Sequence, residues 1–363
     1  MNEYVMYGAQ VSLYSGKLRA YLKKKNIPFR EQLSSARVYR KFIIPRTGVR
    51  FIPVLQTPED QVLQDTTEII EFLEQRFPEQ AAVPDTPNQQ LAALILELFG
   101  DECLLLPAMH YRWNFSENHA FLHRDMGKML APGLPGFIQK PFGKKIAAKL
   151  NGFLPPLGIT DKTHAAIEDW YMALLAELGT HFEQYPYLLG NRPTIADYGF
   201  IGPLYAHLYR DPYPGRMMRE QAPLVAAWVE RMISDEPAKG DLVGHDEIPL
   251  TLLPILRRFA QTQLPIILDV AQMLHEWAQQ NPGKALPRMI GTHRYRINDV
   301  EEQRSAIVYP LWMYQRCLDH YLGLSEKQKS NADTLLREIG AYEGFNTPLP
   351  QRVVRQNNRL ALS

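Results

Sequence analysis

Apolar and polar positions change their period as the chain proceeds. Over the first eighty residues short apolar runs alternate with helical stripes. Tyr4-Val5-Met6-Tyr7 reads as a strand. From Ser15 to Lys25, Leu18, Tyr21 and Leu22 share one helix face, and Lys17, Lys23 and Lys24 surround it. Asn26-Ile27-Pro28 ends that helix. Phe29 to Leu33 reads as a second strand. Phe51 to Leu55 is apolar, but Pro53 excludes an ordinary central strand there. Gln61 to Gln64 fits a hairpin strand. Thr66 to Phe77 then has helical spacing, with Ile69, Ile70, Phe72 and Leu73 inward and Pro78 as the stop. The order β-α-β, then β-β-α, predicts a small mixed sheet.

The pattern turns helical after a proline-bearing linker over 81–88. Leu91 to Leu106 predicts one long apolar helix. Asn118 to Thr160 is rich in Gly, Pro and Lys and reads as a broken insertion. Thr163 to Tyr185 is amphipathic. Thr194 to Tyr209 is apolar on nearly every side, as a central helix would be. Leu224 to Ile233 continues the bundle. From Asp241 the pattern is mostly helical: one or two helices between Leu250 and Gln280, broken at Pro254 and Pro265, and another over Pro310 to Leu322. His293 to Ile297 alternates like a strand, and the tail after Gly344 reads as frayed. The expected division is 1–80, 89–240 with an insertion over about 118–160, and a mostly helical extension over 241–363.

Composition narrows the function classes. The 363 residues carry 40 basic and 39 acidic side chains, a formal charge of +1. That balance excludes a strongly basic nucleic-acid binder, though not a local patch. Two cysteines, Cys103 and Cys317, make no disulfide framework, and the sequence shows no metal-ligand spacing beyond His119 and His123, which lack an acidic partner. No metal is expected. The stretch Leu91 to Met109 is interrupted by Glu97, Asp101 and Glu102, so no membrane span is expected. A helix lying on a membrane surface would leave no trace in these counts. The N-terminus lacks a secretory pattern, and a cytoplasmic setting is the expectation.

Three N-terminal segments carry candidate chemistry. Ser12-Leu13-Tyr14-Ser15-Gly16-Lys17-Leu18-Arg19 joins the first strand to the first helix. A hydroxyl there can donate to an anion that the helix dipole also favours, or simply cap the helix. At Ile52-Pro53, a cis bond would turn backbone groups outward toward an extended peptide ligand; a trans proline on an edge strand is the plainer alternative. Gln64-Asp65-Thr66-Thr67 opens the third helix. Its amides and the Thr66 hydroxyl can hold a carboxylate while Asp65 pairs with an ammonium, or the segment is a plain cap.

Together these segments resemble the thioredoxin-like domain of the cytosolic glutathione transferases. Ser12 to Arg19 is similar to the family's S-P-x-S-x-K-V-R stretch, Phe51 to Leu55 to its x-V-P-x-L loop, and Asp65-Thr66-Thr67-Glu68-Ile69 to its E-S-x-A-I motif. In the helical half, Thr194-Ile195-Ala196-Asp197 resembles the S/T-x-A-D capping box, and Tyr187-Leu188-Leu189-Gly190 its F-L-x-G lead-in. The resemblance spans about residues 1–240. It implies an α/β thioredoxin-like domain with a mixed four-stranded sheet, then an all-α helical-bundle domain. The chain departs from the pattern at Leu13, Asp65 and Glu68, in the basic loop from Arg37 to Arg50, and in the insertion and extension.

The resemblance also implies a mechanism. Glutathione is the co-substrate. Ile52, before the cis Pro53, pairs with its cysteinyl backbone, and Asp65 and Thr66 hold its γ-glutamyl end. Ser12 donates to the sulfur, with Tyr7 and Tyr14 as alternative donors, and the thiolate attacks a small apolar electrophile by conjugation, dehalogenation, ether cleavage or isomerisation. Lys41 and Arg50 are candidates for the glycyl carboxylate, or a solvated loop. His110, Tyr111, Trp113 and Phe115 end the long helix as an aromatic cluster suited to the electrophile, or as core. A homodimer and a detoxification role follow from the same resemblance. The altered motif positions and the extension motivate a second reading, a non-catalytic relative that binds a protein partner. A third possibility makes the helix from Leu264 to Trp277 a lid.

Overall fold

The computed structural model describes residues 3–363, and its contacts sort the chain into two compact units. The first gathers 1–81, 107–154 and 200–239; the second gathers 82–106, 155–199 and 240–363.

In the first unit, β1 (Tyr4–Gly8), β2 (Phe29–Leu33), β3 (Val54–Gln56) and β4 (Val62–Gln64) form one sheet in the order β2-β1-β3-β4. β1 runs parallel to β2 and antiparallel to β3, and β3 is antiparallel to β4. This is the mixed four-stranded sheet the alternation predicts. Val5, Tyr7, Ile43 and Val54 form an apolar cluster on it, with Ile52 packed against them. The helix α1 (Leu13–Lys24) buries Leu18, Tyr21 and Leu22 completely. Lys17 and Arg19 are buried as well, and Arg19 grips Glu31 on β2 through two bonds of 2.7 and 2.6 Å. α2 (Thr66–Arg76) buries Ile69, Ile70 and Leu73. Phe72 lies half-buried instead, with Arg76 stacked 4.3 Å from its ring centroid.

The segment expected to be a broken insertion is two packed helices, His119–Leu130 and Gly136–Asn151. Its Gly and Pro residues over 132–136 make the turn. The helices meet at Gly143, where a Cβ would sit 1.8 Å from the His123 carbonyl, so only glycine permits this approach. A further helix, Pro212–Gln221, was not expected; Pro223–Ile233 matches its pattern.

In the second unit the long apolar helix is Pro87–Leu98, interrupted by a π turn over Phe99–Cys103 before Leu105–Asn114 begins. Asp197 caps the helix Ile195–Ala206 as its motif implies, accepting from the amides of Thr194 at 2.9 Å and Leu188 at 3.0 Å. The extension is built into this unit. Arg316 reaches Glu97 at 2.7 Å, Arg258 grips Glu177, and the Asp246 carboxylate accepts from the Asn88 and Gln89 amides. The helix Leu264–Gln280 covers its apolar face here, with Leu264, Ile267, Val270, Ala271 and Leu274 buried.

Two hairpins in the extension differ from expectation. Met289–Ile297 pairs with Val300–Ile307, and the tail read as frayed forms Val353–Gln356 and Arg359–Leu362. Gln315 holds the latter by donating to the Val353 carbonyl at 2.7 Å and accepting from its amide at 2.9 Å.

Candidate functional site

The strand registers decide what the first unit brings together. Tyr7 pairs with Val54, and Val54 with Gln64. The chain leaves β1 past Tyr7 toward Ser12, enters β3 through Ile52-Pro53, and leaves β4 past Gln64 into Asp65 and Thr66. All three segments therefore emerge at one end of the sheet.

Ser12 is the N-cap of α1, at φ −92 and ψ 124, and is half-buried. Its hydroxyl oxygen accepts from the Ser15 amide at 3.3 Å, which leaves its proton to donate. Ser15 is fully buried, and its oxygen accepts from the Ala9 amide at 3.2 Å. The Ile52–Pro53 bond is cis. Asp65 caps α2, accepting from the Thr67 amide at 3.0 Å, and sits at φ 86, where a non-glycine backbone is strained by about 1–3 kcal/mol. Thr66 is buried beside it.

The alternative donors differ in availability. The Tyr7 hydroxyl donates to Gln56 at 2.8 Å, and its ring stacks on Phe42 with centroids 4.2 Å apart. Burial pushes the Tyr7 phenol up from its ordinary value. That hydroxyl is spent within the sheet. Tyr14 is half-buried at the start of α1. Lys41 and Arg50 are exposed on the basic loop, and Arg46 on the same loop is paired with Asp60.

The aromatic cluster falls mainly in the core. His110, Tyr111 and Trp113 are 1%, 2% and 7% exposed, which leaves them almost no surface for a ligand. Tyr111 stacks on Phe115, and Phe115 on Tyr213 at 4.0 Å; only Phe115 of the four is half-buried. His110 shares a 2.8 Å hydrogen bond with Asn114. The core alternative describes the first three.

Between these aromatics lies the residue that pattern reading passed over. Arg112 is buried and grips Asp211 with bonds of 2.7 and 2.8 Å. Its other donors reach the Ala206 carbonyl at 2.7 Å and the Val11 carbonyl, one residue before Ser12, at 3.0 Å. The His207 ring lies between Ala108 and Val11, 3.2 and 3.3 Å from their carbonyls. Burial, then the Arg112 charge, drives the His207 imidazole well below its ordinary value. Arg210 donates to the Gln10 carbonyl at 2.9 Å, and Tyr205 reaches the Gln10 side chain at 3.4 Å. Gly202 lets this helix touch α1, since a Cβ would stand 3.0 Å from the Leu13 carbonyl. Helical residues thus hold the turn that presents Ser12. A lone arginine in an apolar helical stripe was the available signal.

Neither cysteine competes as a nucleophile: burial pushes the thiols of Cys103 and Cys317 up to about 12. Among the described residues no group of three or more His, Cys, Asp or Glu side chains is placed to hold a metal, and no helix is long and apolar enough to cross a membrane.

The family models match this architecture. Residues 6–81 match the glutathione S-transferase N-terminal domain, and residues 160–236 match the glutathione S-transferase C-terminal domain. The chain therefore carries the N-terminal and C-terminal domains of the glutathione S-transferase family. Among solved structures it is similar to a glutathione S-transferase from Rhodospirillum rubrum, with 15% identity, TM-score 0.42, and 68% of this chain and 96% of that one covered. It is also similar to a β-etherase from Sphingobium sp. strain SYK-6, with 18% identity, TM-score 0.45, and 64% and 95% covered. A third is a glutathione S-transferase from Methylobacterium radiotolerans in complex with glutathione sulfonate, with 18% identity, TM-score 0.40, and 67% and 99% covered. No curated protein sequence matches. The matched N-terminal domain is the part that holds the four-stranded sheet, and the matched C-terminal domain begins after the insertion.

Proposed function

We propose that this protein binds glutathione along the exposed end of its sheet and activates the thiol with Ser12. The observation that supports the reading is the register Tyr7–Val54–Gln64, by which the three candidate segments emerge at one end of the sheet. Ile52 offers its backbone to the cysteinyl residue. Asp65 and Thr66, at the N-terminus of α2, take the ammonium and carboxylate of the γ-glutamyl end. Ser12 donates to the sulfur and favours the thiolate, helped by the N-terminus of α1. A serine here supports thiolate stabilisation rather than disulfide exchange. Lys41 and Arg50 are the cations within the basic loop for the glycyl carboxylate.

The thiolate then attacks a small apolar electrophile. Tyr14 and Tyr205, both half-buried, border the Ser12 turn, and Phe115 adds the accessible edge of the aromatic stack. The reading includes a cytoplasmic homodimer acting on such electrophiles in detoxification.

Isothermal titration with glutathione tests the site. Saturable binding, with a rise in the bound thiol's pKa in Ser12→Ala read from thiolate absorbance, is the expected result. No binding at millimolar glutathione would sink the enzyme reading and favour a non-catalytic partner-binding protein on the same fold.

A further inference from the structure

We propose that the insertion hairpin is a membrane-docking element: the outer face of the helix Gly136–Asn151 lies flat on an anionic lipid bilayer. Four of the chain's exposed large apolar side chains lie in this one segment: Leu134, Phe137, Phe142 and Phe153, at 46%, 78%, 48% and 41% exposure. Such a grouping is not scattered surface apolarity and marks a contact face.

The helix periodicity explains the arrangement. Gln139, Gly143 and Ala147 recur every fourth residue as the buried stripe, and Gly143 seats that stripe against the first helix. The opposite face is left outward. Its exposed positions from 137 to 149 hold only Phe, Lys, Pro and Ala. Lys140, Lys144, Lys145 and Lys149 are all exposed on it. Sixteen residues make a strip about 24 Å long, the length of an interfacial helix.

Charge chooses the occupant. From Met126 to Thr160 there is no Asp or Glu, although the whole chain is balanced at +1. The one acid on the first helix, Asp125, is paired with Arg210 at 2.9 Å. The face is therefore cationic without internal neutralisation, and it offers no amide, hydroxyl or guanidinium for reading a folded partner. Lysine ammonium groups between phenylalanines suit lipid phosphates over acyl chains, the rings entering the boundary by about 5–10 Å. A spanning role is not implied.

Vesicle flotation of the full chain tests this with phosphatidylcholine alone and with added phosphatidylserine. The protein should float with the anionic vesicles at low salt, not with the neutral ones, and rising salt should release it. Replacing Lys140, Lys144, Lys145 and Lys149 with Gln should lower partitioning by about 100-fold or more. Phe137→Ser should lower it by about tenfold. Both variants should keep the parent's melting temperature and glutathione titration, which separates this proposal from the reading of the glutathione site. No flotation at low salt would overturn it. So would binding to an oligonucleotide duplex that the lysine variant loses and Phe137→Ser keeps, which assigns the face to a polyanion. A dimer dissociated by Phe137→Ser would assign it to a second copy of the chain.

Discussion

The turn before Ser12 and the outer face of the insertion are both cationic, and they use their charge in opposite ways. Around the turn, Arg112 is withdrawn from water and spends its donors on Asp211, Ala206 and Val11. On the insertion, the lysines stay in water and the phenylalanines beside them stay uncovered. A buried cation must be satisfied by its own protein, so it fixes geometry. An exposed one costs the fold little and remains available to something outside.

The largest test of that contrast is Arg112→Met. It strands Asp211 in the core and should lower stability by about 3–5 kcal/mol in a denaturant titration. Adding Asp211→Leu should recover most of the loss, because the unpaired charge is gone. Glutathione affinity should stay low in that double variant, since the Arg112 bond to the Val11 carbonyl is still missing. Full recovery of affinity would break the claim that Arg112 positions the Ser12 turn.

Acid supplies the next test, in the second unit. His181 is buried between Thr251 and the Tyr187 carbonyl, and burial lowers its pKa to about 4. The folded state keeps the imidazole neutral while the unfolded chain protonates near 6.5. Its stability contribution is therefore full above pH 6.5 and lost as pH falls toward 4, about 3 kcal/mol in all. His181→Gln should flatten that part of the stability profile; an unchanged slope would remove His181 as its source.

A smaller loss is expected at the cap. Ser12→Ala should cost about 1 kcal/mol of stability by freeing the Ser15 amide. The smallest effect belongs to the insertion. Replacing its four outer lysines with Gln should change stability by no more than about 0.5 kcal/mol. A larger change by thermal melting would show that these charges serve the fold after all.

The sequence made the sheet legible because its central strands β1 and β3 are short apolar runs, buried throughout, and the helices between announce their ends with caps and prolines. Ile69, Ile70 and Leu73 lie where their spacing puts them. What escaped was structure held by pairing rather than by burial. Val300–Ile307 is too polar to read as a strand, yet it pairs with Met289–Ile297 across Asn298-Asp299. The last hairpin turns at Asn357-Asn358, both at positive φ, and that pair was its one local signal. At the candidate site, Ser12, Pro53 and Asp65 stood out through local motifs. Arg112 did not, because its partners Val11, Ala206 and Asp211 are distant in sequence. The aromatic cluster misled for a related reason: composition cannot tell a ligand-facing ring from one stacked in a core.

The burial of Cys103 and Cys317 has a practical side. Both thiols lie in the interior, so maleimide chemistry on the folded protein has almost no background. A cysteine introduced at Phe137 would carry a fluorophore alone, and its emission would track the polarity met by the outer face of the insertion from one moment to the next.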